Sequence, residues 1–242
     1  MITSRDNAQV KNVCRLCDSK SERRKQGLMV LEGERLLCEA RHIEKLYYTA
    51  DSNYQRFLPV CSGYEEVSPE VFKKMCDTVS PQGVLGLVKL PELSPKIDSK
   101  GKYLAFENLQ DPSNLGAAAR TAEAFGISGI IVSGTDPYAP KVLRASMGAI
   151  LRIPVTVCDD ILEFLPTLPH RKIGTVCRGG KDIRSFEFKN DIVIIGNEGN
   201  GLTPCAQEMC DHLITIQMTG NAESLNASVA SAITVWEMTK NG

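Results

Sequence analysis

The feature that most constrains this chain is the alternation in its second half of short apolar runs with helix-patterned segments. Tyr103–Phe106, Ile127–Val132, Ile153–Val157, Ile173–Cys177 and Asp191–Ile195 read as strands. Between and after them lie an Ala-rich helix from Leu115 to Phe125, a helix opened by Pro140, and a final helix carrying Leu225, Val229, Ile233 and Trp236 on one face. Helices between strands favour parallel pairing, so this half is expected to form an α/β domain with a mostly parallel sheet. Its functional loops then gather at the carboxyl ends of the strands. Gly126 suits a left-handed helix terminus, and Pro140 suits a first helical turn.

The first ninety residues form a smaller α/β set. A helix capped by Ser4 carries Val10, Val13, Cys14 and Cys17 at three- and four-residue spacing. Leu28–Leu31, Lys45–Thr49 and Gly83–Val88 read as strands, with helices over Glu34–Arg41 and Pro69–Met75. Residues 91–100 contain two prolines and scattered charges without periodicity, a linker composition. The expected domains are therefore 1–90 and 101–242, joined by 91–100.

Composition narrows the classes. The chain has 242 residues, 43% of them apolar, and a net charge of −1. No apolar run reaches the roughly 18 residues of a membrane span, and the amino terminus lacks the apolar core of a secretory signal. A cytoplasmic location with no membrane partner is expected. Nine cysteines read as small buried hydrophobes; Cys14 and Cys17 have no second pair to complete a zinc site, and no metal is expected. Charge is uneven, because residues 1–25 carry seven basic and three acidic side chains. That excess suits either a phosphate-contacting patch or a solvated helix face.

Three loops hold residues that a core does not need. Glu107–Gly116 follows a strand and precedes a helix; there Asn114 reads as a helix cap or a site residue, and Arg120 as a structural ion pair or an anion site. Ile195–Leu202 is glycine-rich and projects Glu198. Its glycines at 196, 199 and 201 fit neither the dinucleotide fingerprint nor a phosphate loop, which argues against a nicotinamide-dependent oxidoreductase. Ile216–Ser228 runs into the last helix, with Ser224 or Asn226 as a plain N-cap or a site residue.

Together the three segments resemble the motifs of the SpoU (TrmH-like) branch of SPOUT RNA methyltransferases. Asn108-Leu109-x-Asp111-Pro112-x-Asn114-Leu115-Gly116 with Arg120 resembles the first motif. Gly196-Asn197-Glu198-Gly199-x-Gly201-Leu202 resembles the second, and Ile216-x-Met218 with Glu223-Ser224-Leu225-Asn226-x-Ser228 the third. The segment Asp136–Gly148 looks like the family's ribosomal-RNA members. Ser4-x-x-Asn7, Glu32-Gly33-x-Arg35 and Val79-Ser80-Pro81 resemble its ribosomal-protein-like RNA-binding domain.

The resemblance implies a carboxyl-terminal trefoil knot, an obligate homodimer and S-adenosylmethionine as methyl donor to a ribose 2′-hydroxyl of structured RNA. The RNA expected is large-subunit ribosomal RNA of the 23S type, with transfer RNA or a non-catalytic RNA-binding role as alternatives and no DNA partner. Gly196, Ile216, Leu225 and Thr175 are expected to hold the cofactor. Arg120, Asn114, Glu198 and Asn226 are expected to carry the chemistry. The family's usual proposal makes the motif-one arginine the activating group. A guanidinium stays protonated, so a clamp on the adjacent phosphate is the physically preferred role.

Overall fold

A computed structural model describes residues 1–91 and 97–240. Half of the expected linker, residues 92–96, lies outside the described residues. The chain forms two compact units, residues 1–91 with 138–148, and residues 97–137 with 149–240.

In the first unit, α1 (Ala8–Asp18) and α2 (Lys20–Gln26) precede β1 (Leu28–Glu32), α3 (Glu34–Leu37), β2 (Lys45–Tyr48), β3 (Tyr64–Glu66), α4 (Pro69–Met75) and β4 (Val84–Lys89). The sheet order is β1-β4-β2-β3, with only β2 and β3 parallel. Val10, Val13 and Leu16 of α1 share a core with Val71, Phe72 and Met75 of α4. The cap of α1 is Asn7, not Ser4: its side-chain oxygen accepts from the Gln9 N–H at 2.8 Å. The helix expected over 34–41 is a single turn ending at Leu37.

Arg23 is withdrawn from the basic excess. It is buried, and its guanidinium donates to the carbonyls of Leu16 and Cys17 at the end of α1. Lys11 is held by Asp6 at 2.8 Å.

The nine thiols are free, but none is fully buried, which corrects the expectation. Cys14, Cys17 and Cys76 pack against the rim of the first core. Burial pushes the Cys17 thiol up to about 12, so it stays protonated.

The second unit opens with β5 (Tyr103–Glu107), α5 (Pro112–Ala124) and β6 (Gly129–Ser133). The chain then leaves it for residues 138–148, which carry α6 (Pro140–Ala145) in the first unit. There Arg144 reaches Asp77 at 2.5 Å. The chain continues through β7 (Val155–Val157), α7 (Ile161–Phe164), β8 (Arg171–Thr175), β9 (Lys181–Asp182), β10 (Asp191–Ile195), α8 (Pro204–Met209), β11 (His212–Thr215) and α9 (Ala227–Thr239).

Seven strands form one sheet in the order β7-β6-β5-β10-β8-β11-β9, and every pairing is parallel. The residues of β5, β6 and β10 are all buried, as the continuous apolar runs of a doubly covered parallel sheet require. Arg171 grips the buried Asp191 with two nitrogens at 2.7 and 2.8 Å, locking the register of β8 against β10. Glycine at 126 takes φ +70° just past α5, the left-handed terminus expected there.

The stripe Val229, Ile233 and Trp236 on α9 does not face the core. Val229 is 46% and Trp236 57% exposed, and the buried side of the helix is Ala227, Ser231, Thr234, Val235 and Met238. Small residues point inward because α9 packs closely on the Ala-rich α5.

Among the described residues no helix is long and apolar enough to cross a membrane.

Candidate active site

The glycine-rich loop between β10 and α8 is a five-residue reversal. Asn197 and Gly201 exchange backbone hydrogen bonds at 3.0 and 2.9 Å, and the Asn197 side-chain oxygen accepts from the N–H groups of Gly199 and Asn200. The closure brings backbone onto backbone at Gly196: a Cβ there would lie 2.3 Å from both Gly201 C and Leu202 N. Glycine is thus required by the loop's own crossing, a demand separate from the cofactor contact that the resemblance implies for Gly196.

This loop is fastened to the loop after β5. Asn197 donates to the carbonyl of Asn108 at 2.8 Å. Glu198 accepts from the N–H groups of Gln110 and Asp111 at 2.8 and 3.2 Å and from the Asn114 amide at 2.7 Å. Just beyond, the buried Glu107 accepts from the N–H and hydroxyl of Thr203 at 3.0 and 2.7 Å, fixing the entry to α8.

Asn114 is not the cap of α5. That role belongs to Asp111, whose carboxylate accepts from the Ser113 N–H at 2.9 Å, while Asn114 is buried one turn further on. Asn226 fills both of its readings. Its side-chain oxygen caps α9 through the Ser228 N–H at 2.9 Å, and its amide donates to Asn114 at 3.0 Å. Residues from all three sequence segments therefore meet in one chain of hydrogen bonds, Asn226 to Asn114 to Glu198.

Burial works to raise the pKa of Glu198, but the donors from Asn114, Gln110 and Asp111 outweigh it and hold the carboxyl below its ordinary 4.5. A carboxylate so engaged braces the loops and is a poor proton acceptor. Its contribution is present above the ordinary glutamate pKa and lost as pH falls through the lower folded value. The Glu198→Gln protein is therefore expected to melt below the parent at neutral pH, with the gap closing on acidification below pH 4.5. Thermal melts across pH test this; a gap independent of pH would remove the carboxylate from its bracing role.

Beside the chain of hydrogen bonds lies a cavity of about 420 Å³ at the carboxyl ends of β8, β10 and β11. Gly196, Ile216, Leu225 and Thr175 all line it, with Ile195, Leu202 and Met218 adding apolar wall. The Thr175 hydroxyl donates to the Ile194 carbonyl at 3.0 Å. Sequence reading missed Gln207, whose amide donates to the Leu202 carbonyl at 2.9 Å, and Arg178 at the mouth. Neither carried a motif signal.

Arg120 is not brought to the cavity. It is exposed and, among the described residues, has no ion-pair partner. Six residues beyond Asn114, it is rotated by about 240° around α5 and faces elsewhere.

Fold and site define a parallel α/β protein with a ligand cavity at the carboxyl ends of its strands, braced by three separated loops. Residues 101–236 match the model of the SpoU rRNA Methylase family, and residues 7–86 match the MRM3-like substrate binding domain. An uncharacterized tRNA/rRNA methyltransferase of Synechocystis sp. is 33% identical over 98% of this chain and 92% of its own. The 23S rRNA (guanosine(2553)-2′-O)-methyltransferase RlmP of Bacillus subtilis is 29% identical over 98% of each chain. An AdoMet-bound rRNA methyltransferase from Sinorhizobium meliloti superposes with a TM-score of 0.85 at 28% identity, covering 99% of this chain and 97% of that one. The chain belongs to the SpoU rRNA methylase family.

Proposed function

We propose that this protein transfers a methyl group from S-adenosylmethionine to a ribose 2′-hydroxyl of large-subunit ribosomal RNA. The observation that carries the reading is the Asn226–Asn114–Glu198 chain at the cavity, which unites the three family motifs in one geometry. The cavity suits the cofactor in size and character: about 420 Å³, apolar inside and polar at the mouth. When bound, the cofactor supplies an electrophilic methyl on sulfur. The residues of the chain then have to orient the ribose oxygen and stabilise the charge that develops as its proton leaves.

Glu198 and Asn114 keep the two loops at fixed separation. Arg120 clamps the phosphate next to the target ribose. Because it faces away from its own Asn114, it serves the cavity of a second copy, so the working unit is a homodimer. The exposed Phe125, Val229 and Trp236 support this. Phe125 and Trp236 sit edge to face at 5.7 Å, an apolar patch suited to a second copy.

Residues 1–90 act as a ribosomal-protein-like RNA-holding domain, 91–100 as the linker, and 101–242 as the methyltransferase domain in the cytoplasm. The expected carboxyl-terminal knot is supported by β10 lying between β5 and β8, two strands laid down before it.

The test is methyl transfer from tritiated S-adenosylmethionine to purified ribosomal and transfer RNA, followed by alkaline hydrolysis. A 2′-O-methyl blocks cleavage at its own phosphodiester, so label is expected in alkali-resistant dinucleotides of large-subunit RNA. Label recovered in mononucleotides, as base methylation would give, or incorporated only into transfer RNA, would overturn the assignment.

A further inference from the structure

We propose that Arg178 and Glu223 form a bipolar mouth that holds the amino-acid end of the cofactor. The guanidinium takes the α-carboxylate, and the Glu223 carboxylate takes the α-ammonium. The inference rests on the reading of the cavity as the S-adenosylmethionine site.

Among the described residues lining the cavity, Arg178 is the one cation, and Glu198 and Glu223 are the acids. Glu198 is committed to its own chain through Gln110, Asp111 and Asn114. Arg178 and Glu223 are both exposed, and neither has an ion-pair partner among the described residues. One free charge of each sign thus stands at the opening, with Ile195, Ile216 and Leu225 lining the cavity. A ligand with an apolar-faced nucleoside at one end and a zwitterion at the other matches that division.

The backbone on either side of Arg178 is also held in place. The Val176 N–H donates to the Ile214 carbonyl at 2.9 Å, and the Gly180 N–H donates to the Thr215 hydroxyl at 3.0 Å. Between these anchors on β11 only Cys177, Arg178 and Gly179 are free to project, and Gly179 turns at φ +84°. Gly180 lies so close to β11 that a Cβ would sit 2.6 Å from Ile214 C, so the loop cannot carry a larger residue there without moving. The anchoring of the loop backbone lowers the cost of ordering this segment when a ligand is engaged. An RNA phosphate is the less fitting occupant. Arg178 follows β8, which is separated by β10 from β5, the strand whose exit carries Asn114.

Calorimetry with two nucleosides separates the ends of the ligand. S-adenosylhomocysteine has the amino-acid tail, and 5′-methylthioadenosine lacks it. Arg178→Met is expected to weaken S-adenosylhomocysteine by about ten- to a hundredfold, the scale of one hydrogen bond to a charged group, and to leave 5′-methylthioadenosine unchanged. Glu223→Gln should show the same selectivity with a smaller loss. Unchanged S-adenosylhomocysteine affinity in both variants would overturn the proposal, and if RNA affinity fell instead, Arg178 would belong to the RNA surface. Equal losses for both nucleosides would also overturn it, by pointing to a deformed cavity. Failure of the parent protein to bind either nucleoside would overturn the cofactor reading itself.

Discussion

Methyl transfer by the Arg120→Lys protein is expected to fall by about two orders of magnitude or more, the cost of removing one donor aimed at developing charge. The substitution keeps the positive charge and removes the planar two-pronged donor that grips a phosphate. Because Arg120 is exposed and has no ion-pair partner among the described residues of its own chain, the fold should lose little. Melting temperature and S-adenosylhomocysteine affinity should both remain near those of the parent. Single-turnover transfer at saturating RNA reads the chemical step apart from binding. Near-normal transfer by the lysine variant would eliminate the clamp.

The proposed trans arrangement adds a second arm to the same measurement. Mixing Arg120→Ala subunits with subunits disabled at Glu198 should regenerate activity, since a mixed dimer retains one cavity with an intact Glu198 and an arginine from its neighbour. No recovery after subunit exchange would place Arg120 in its own chain's cavity.

Gly196→Ala is expected to abolish S-adenosylhomocysteine binding, although it adds a single methyl group. A Cβ 2.3 Å from two backbone atoms forces Gly201 and Leu202 to move, and backbone there cannot rotate aside as a flexible side chain could. The displaced loop carries Glu198, so the bridge to Gln110, Asp111 and Asn114 opens with it. Gly199→Ala is the control: its nearest neighbour would be the Asn197 side-chain oxygen at 3.5 Å, an ordinary contact, and binding should persist. Calorimetry on both variants, with circular dichroism to show that each is folded, checks the contrast. Unimpaired binding in folded Gly196→Ala would mean that the crossing is not needed for the cavity.

Much of the second unit was legible because its central strands are buried on both faces. Tyr103–Phe106 and Ile192–Ile195 are uninterrupted apolar runs, and the parallel sheet they imply is present. The two-residue β9 was invisible because Lys181 and Asp182 have no strand periodicity; they are extended only by pairing with β11.

The face of α9 was misleading for a related reason. Periodicity identifies an apolar stripe but not which side is covered, and here serine, threonine and alanine face the close-packed α5. The same limit hid the role of Arg23, since charge alone does not distinguish a solvated arginine from one buried against helix carbonyls. The motif residues Asn114, Glu198 and Asn226 were legible as polar residues with no core purpose. Their mutual contacts were not, because they lie 84 and 112 positions apart and depend on the order of strands in the sheet.

The chain joining these three residues has a direction. Asn226 gives its acceptor end to the start of α9 and its donor end to Asn114, which in turn gives its own donor to Glu198. An amide has one end of each kind, whereas a carboxylate only accepts. The arrow therefore dictates the alphabet: an acid can stand only at the terminus that receives, and the two interior positions require amides. Aspartate at 114 or 226, equal in shape but with no N–H to give, would leave two acceptors face to face. The three motifs thus form one hydrogen-bonded unit, in which a change at Asn114 alters both what Asn226 can give to and what Glu198 can receive.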